Sequence, residues 1–181
     1  IDHAVEYAGR RQDPLRGIDV GTGSGCIAVT LASLLPSSCW QATDIEARAL
    51  EVARRNALRH GVADRVQFVR ADLAGPAAEQ FDLVCANLPY VPTARLATLE
   101  AARREPRRAL DGGALGLDLI LRLIGDLPRL MAPSGRALLE VDHTQVEAVL
   151  QAVHRLDGRA DAAVYADLAG QPRLLQVDRR G

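Results

Sequence analysis

Lysine is missing from this chain: all 22 of its strongly basic residues are arginine. They are scattered along the sequence, which reads as a coding bias toward Arg and not as a function. Excess charge of either sign is also missing. The formal net charge is −1, so no strong field draws the protein to nucleic acid or to a membrane surface. Arg103, Arg104, Arg107 and Arg108 lie close together and could form a local docking face; a solvated charge run is the plainer reading. Cysteine is scarce. Cys26, Cys39 and Cys85 show neither metal spacing nor a CxxC pair, so no metal site is expected. An odd cysteine number without a signal peptide fits a reducing cytosol, and a cytoplasmic setting is expected. No apolar run is long enough to span a bilayer, so no membrane partner is expected. Internal repeats, low-complexity tracts and an obvious linker are absent.

What is present suits one soluble domain with a real core: 181 residues, 48% hydrophobic and 25% charged. The chain opens on Ile1, which reads as the start of a fragment. Residues 2–11 have the spacing of a short helix, broken by Asp13-Pro14. Leu15 to Val20 reads as a first strand, ending at a glycine-rich turn. Cys26 to Leu35 is a helix stopped by Pro36. Trp40 to Thr43 is a second strand, with Trp40 packing at its start. Ile45 to His60 is a helix ended by Gly61. Arg65 to Ala71 is a third strand. Phe81 to Ala86 is a fourth, with Cys85 buried in the sheet.

Residues 91–114 lack periodicity and predict a partly helical surface excursion. Leu115 to Met131 predicts a helix broken or bent near Pro128. Pro133-Ser134-Gly135 reads as a turn, Ala137 to Val141 as a fifth strand, and Gln145 to Leu156 as a helix. Ala163 to Tyr165 and Leu174 to Val177 are late strands joined by a short turn. Strand–helix alternation predicts an α/β fold with a mostly parallel sheet covered on both faces. The last two strands lack an intervening helix and predict an antiparallel pair at one edge.

In such a sheet, ligands gather beyond the carboxyl ends of the strands. Those ends carry Gly21 to Gly25, Asp44, Asp72 and Asn87. The turn Asp19-Val20-Gly21-Thr22-Gly23-Ser24-Gly25 is G-x-G-x-G, not the dinucleotide G-x-G-x-x-G, because Cys26 stands where the third glycine would be. Its glycines let the backbone pass close to a bulky ligand, and the following helix N-terminus favours a carboxylate. That suits the methionine part of S-adenosyl-L-methionine (AdoMet). Asp44, about 20 residues on, can accept both ribose hydroxyls or cap the following helix, or do both. Asp44 is followed by Ile45, and Asp72 and Leu73 can flank the adenine. Asp19 can order the glycine turn by accepting backbone N–H bonds.

Asn87-Leu88-Pro89-Tyr90 follows the fourth strand. A carboxamide, a bare carbonyl and an aromatic face stand together there. The set can grip a planar NH2 group and leave its nitrogen free to attack a methyl group. A plain strand-end turn is the alternative.

Gly21 to Gly25, Asp44 and Asn87 to Tyr90 together resemble a class I AdoMet-dependent methyltransferase of the amino-group type. Glu105-Pro106, Ala109-Leu110-Asp111-Gly112-Gly113 and Gly116-Leu117-Asp118 resemble the insertion of the HemK-type family, the release-factor glutamine N5-methyltransferases. Leu139-Glu140 with Gln145, and Asp167-Leu168-Ala169-Gly170 with Arg173, are similar to that family's C-terminal pattern. The resemblance covers nearly the whole chain. It implies a Rossmann-like seven-stranded sheet and S-adenosyl-L-homocysteine as the second product. It implies as substrate the glutamine of the Gly-Gly-Gln loop of class 1 peptide-chain release factors. Asn87 and the Leu88 carbonyl would hold the acceptor amide, with Tyr90 on its planar face. It also implies an N-terminal helical substrate-binding domain, expected to be absent from this chain.

The family usually has proline where this chain has Leu88; Pro89 still pushes Leu88 toward extended geometry. Asn-Leu-Pro-Tyr also resembles the motif of ribosomal-RNA adenine N6-dimethyltransferases. An adenine-N6 methyltransferase and a non-catalytic AdoMet-binding module therefore stand as alternatives. Glu105, Asp111 and Asp118 read more simply as caps or loop residues, Glu140 as rim packing, and His143 as a turn residue.

Overall fold

The computed structural model describes residues 1–76, 79–99, 106–156, 158 and 160–180. Helix α1 (Asp2–Gly9) leads into strand β1 (Arg16–Val20), α2 (Cys26–Leu34), β2 (Cys39–Asp44), α3 (Ala47–Arg59), β3 (Val66–Arg70) and β4 (Phe81–Ala86). After the excursion come α4 (Asp118–Leu130), β5 (Met131–Glu140), α5 (Val146–His154), β6 (Ala160–Ala166) and β7 (Pro172–Arg179). All seven strands form one sheet in the order β3-β2-β1-β4-β5-β7-β6. Strands β1 to β5 pair in parallel, and β7 runs antiparallel to both β5 and β6. This is the mostly parallel sheet with an antiparallel edge pair that the strand–helix alternation predicts.

Two cores follow from the two-residue alternation of side chains along a strand. Ile18, Val20, Val84, Ala86, Ala137 and Leu139 enter the core under α4 and α5. Leu83, Cys85 and Leu138 enter the opposite core, with Ala4, Leu31 and Ala57 of the first three helices. Strand β4 is thus apolar on both faces from Leu83 to Ala86, which explains the hydrophobic run there. Trp40 is buried in the second core and donates its indole N–H to Ser38 Oγ at 2.8 Å.

Three expectations needed correction. The helix expected from Leu115 to Met131, broken or bent near Pro128, starts at Asp118 and is continuous through Pro128 to Leu130. Proline removes one N–H bond in the last turn, and the buried Leu127 and Leu130 hold that turn to the core. Strand β5 begins at Met131 instead of Ala137 and absorbs the Pro133-Ser134-Gly135 turn as an irregularity, with Ser134 at φ 59° and a register shift against β4. The second long helix begins at Ala47, not Ile45, because residues 45 and 46 are spent leaving the sheet. The excursion has short 3-10 turns at Thr93–Thr98 and Arg107–Ala109. Arg103, Arg104 and Glu105 lie outside the described residues.

Parallel strands put their carboxyl ends on one rim, with Val20 level with Thr43 and Ala86, and Asp44 level with Arg70. Strand order reverses between β1 and β4, which opens a crevice at that rim.

Candidate active site

The turn after β1 is built by glycines at φ 70° (Gly21), 57° (Gly23) and 83° (Gly25), values that other residues rarely adopt. Gly25 is the N-cap of α2. Asp19 is fully buried behind the turn. One of its oxygens accepts from Thr22 Oγ at 2.6 Å and from the Ala28 N–H at 3.0 Å. The other oxygen has no partner among the described residues. Burial pushes the Asp19 carboxyl up to about 6, against the pull of these two hydrogen bonds. The carboxylate therefore ties the Thr22 hydroxyl of the turn to the backbone of α2, instead of accepting the turn N–H bonds expected of it, and keeps one acceptor unused among the described residues.

Asp44, at the end of β2, reaches the same turn. Its Oδ2 accepts from the Gly23 N–H at 2.9 Å and its Oδ1 from the Glu46 N–H at 2.8 Å. It thus braces the start of α3, while a carboxylate offers about four acceptor positions and half remain free. Asp72, beyond β3, is tied to Arg122 Nη2 of α4 at 2.7 Å, both groups being about half exposed. Leu73 adopts a left-handed φ of 50° and turns its side chain into the core under α4.

Asn87 is exposed directly beyond β4. Leu88 is buried, and its Cδ2 sits so close to the glycine turn that a Cβ on Gly21 would come within 2.8 Å. Leu88 is therefore packed onto the glycine turn. Tyr90 is half-buried on the other side of the loop, its ring centroid 6.0 Å from the Arg173 guanidinium. Burial, then the neighbouring Glu140, raises the Tyr90 phenol above its ordinary range. Burial likewise raises the Glu140 carboxyl, with Arg173 opposing.

A cleft of about 1250 Å³ joins these strand ends. Gly21, Gly23, Asp44, Ile45, Asp72 and Leu73 line one side; Asn87, Leu88 and Pro89 line another. Thr22, Ser24, Gly25 and Asp19 support the turn from outside the lining, and Tyr90 also lies outside it. Two walls had no sequence signal. Arg108 donates to Glu46 Oε1 at 2.8 Å, tying the excursion to the start of α3. Arg122 ties α4 to Asp72. Side chains this far apart in sequence leave no local pattern to read. No cluster of metal-ligating side chains occurs among the described residues.

A family model described as "Methyltransferase small domain" matches residues 10–115. The chain is similar to a release factor glutamine methyltransferase of Moorella thermoacetica, 40% identical, over 97% of this chain and 64% of that protein. It is also similar to a ribosomal protein uL3 glutamine methyltransferase of Bradyrhizobium diazoefficiens, 41% identical, over 70% of this chain and 40% of that protein. The chain thus spans less than two thirds of the length of these relatives. Its fold matches the crystal structure of a ribosomal protein L11 methylase from Lactobacillus delbrueckii subsp. bulgaricus. The TM-score is 0.72 at 22% identity, covering 98% of this chain and 77% of that one.

Proposed function

The chain belongs to the methyltransferase small domain family, and from that premise we propose that it methylates the side-chain amide nitrogen of a glutamine in a protein, with AdoMet as donor and S-adenosyl-L-homocysteine as the other product. The glutamine is that of the Gly-Gly-Gln loop of class 1 peptide-chain release factors, in the cytoplasm where translation terminates. The carrying observation is the seat of Asn87-Leu88-Pro89 in one cleft with the glycine turn, Leu88 packed directly on Gly21. The names of the glutamine-methylating relatives support the acceptor.

The residues present fit AdoMet. The turn at Gly21–Gly25 admits close backbone approach, Asp44 has spare acceptor positions for two ribose hydroxyls, and an unpartnered buried oxygen stands on Asp19 behind the turn. Leu73 and Asp72 border the part suited to adenine. Asp72 must share its carboxylate with Arg122, an exposed pair worth about 0–1 kcal/mol and so easily loosened. AdoMet supplies an electrophilic methyl group on a sulfonium centre.

An amide nitrogen is a weak nucleophile because its lone pair is delocalised. The Asn87 carboxamide oxygen and the Leu88 carbonyl would each accept one N–H of the acceptor NH2. That fixes the amide plane and increases electron density on the nitrogen. Positioning of this kind supplies much of the acceleration, and no strong base is needed before attack: the N–C bond forms as the C–S bond breaks, and the extra N–H proton leaves afterward to solvent. Tyr90 lies toward Glu140 and Arg173, so it would meet the acceptor from the β5–β7 side of the loop.

The test is incubation with labelled AdoMet and purified release factor, uL3 or ribosomal RNA, followed by mapping of the label. Methyl on the Gly-Gly-Gln glutamine is expected. Methyl confined to adenine would overturn the reading in favour of a nucleic-acid enzyme. Binding of AdoMet with transfer to none of the three, also when the region that the relatives carry beyond this chain is supplied, would favour a non-catalytic module.

A further inference from the structure

The backbone of the acceptor loop is held by groups far away in sequence, and one side chain joins them. Gln145 is 3% exposed at the head of α5. Its Nε2 donates to the Tyr90 carbonyl at 3.0 Å and to the Gly116 carbonyl at 2.8 Å, which uses both of its hydrogens. Its Oε1 accepts from the Asp142 N–H at 3.1 Å, just beyond β5. One amide thus ties the loop after β4, the turn before α4 and the end of β5.

The crossing is tight. A Cβ on Gly116 would fall 2.1 Å from the Tyr90 carbonyl oxygen and 2.7 Å from Gln145 Nε2. A Cβ on Gly112 would fall 2.6 Å from the Pro89 carbonyl oxygen. On the far side of Tyr90 the loop pairs with the excursion: Val91 N–H donates to Leu110 O at 2.9 Å, and Gly112 N–H to Val91 O at 2.9 Å. Thr93 Oγ donates to Asp111 Oδ1 at 2.6 Å, and the same oxygen accepts from the Gly113 N–H at 3.1 Å.

We propose that Gln145 is a positioning residue for methyl transfer: its amide fixes the Pro89–Tyr90 backbone and, through it, the direction of the Leu88 carbonyl and the Asn87 carboxamide. This rests on the glutamine-methylating reading of the site. The clamp matters here because position 88 is leucine. Only Pro89 restrains φ within the tetrapeptide, so the remaining backbone freedom is removed from outside. The Asp-Gly-Gly turn and Gly116 are then the other jaw of the clamp. Buried carbonyls that lose their donor are left unsatisfied and the segment that carries them shifts or loosens. A displacement of about 1 Å at a reacting group lowers rate about a hundredfold.

The test is Gln145→Met, which keeps length and apolar volume but removes both donors. Four quantities are read: kcat and KM for the release factor, the Kd for AdoMet, and deuterium uptake along the chain. The expected result is a kcat at least tenfold lower, with KM and AdoMet Kd within threefold of the parent, and faster uptake confined to 87–93, 113–117 and the turn at 142–145, whose Asp142 N–H also loses its acceptor. Should Gln145→Met not fold, Gly116→Ala pushes on the same carbonyl and carries the same expectation. Unchanged kcat together with unchanged uptake overturns the proposal. Parallel loss of kcat, AdoMet affinity and protection throughout the sheet also overturns it, since that is a general packing role. If the parent protein leaves the glutamine unmethylated, the functional reading fails, and uptake at 87–93 alone decides the fate of the clamp.

Discussion

Water cannot reach the Asp19 carboxyl, so its charged form is disfavoured and its proton is held to about pH 6. An unfolded aspartate titrates near 3.8, so the folded chain binds the extra proton between those values. The resulting stabilisation is complete below pH ~4 and is lost as pH rises through about 6, amounting to roughly 2–4 kcal/mol. Asp19→Asn keeps an acceptor for Thr22 and Ala28 but cannot ionise. In thermal melts without ligand, the variant is expected to gain on the parent as pH rises from 5 to 7.5; a difference constant with pH would contradict the burial argument. Asn87 and Asp44, at the rim, separate by role. Asn87→Ala is expected to lower kcat at least a hundredfold and to leave AdoMet Kd within a few-fold. Asp44→Ala is expected to raise that Kd at least tenfold. Titration calorimetry beside the methylation assay checks both, and the reverse pattern would exchange the two assignments. Asp44 and Asn87 were legible because each stands at or just past a strand end. The unpartnered oxygen of Asp19 and the seat of Leu88 on Gly21 were not, since both depend on what packs around them.

Among the elements, α1 is short and docked by polar contacts at the end of the sheet opposite the cleft. Asp82, early in β4, accepts from the Arg16 N–H at 2.9 Å and from Arg11 Nη2 at 2.7 Å. Tyr7 donates to the Ser134 carbonyl at 2.9 Å, with the Arg136 guanidinium 4.8 Å from its ring centroid. Asp82→Ala strips a backbone N–H and a half-buried arginine of their acceptor. The expected destabilisation is about 1–3 kcal/mol, a fall in Tm of several degrees, with AdoMet Kd unchanged; an unaltered Tm would show that the Asp82 contacts add nothing to stability at this end of the sheet. Element types were readable from period and punctuation. Where those signals conflicted with packing, packing won: Leu127 and Leu130 carry α4 past Pro128, and pairing with β4 draws Pro133-Ser134-Gly135 into β5.

For the molecule as a whole, the cleft binds together the excursion, α3, α4 and four strand ends, so a ligand there stabilises the folded state by mass action. At 100 times Kd, AdoMet is expected to add about 2.7 kcal/mol and to raise Tm by roughly 5–10 °C for a domain of this size, increasing with concentration. A Tm indifferent to AdoMet would remove the donor from the cleft. The alternation of strands and helices, the two-residue pattern within strands and the motifs at strand ends were enough to foresee a parallel sheet, its antiparallel hairpin and a ligand rim, because all three are local consequences of backbone geometry and burial. Which groups close that rim was settled in three dimensions. The Arg108–Glu46 and Arg122–Asp72 ties and the reach of Gln145 to the Tyr90 carbonyl join residues 62, 50 and 55 positions apart. Such contacts arise only when the finished sheet brings distant segments within hydrogen-bonding distance, and no periodicity along the chain encodes them.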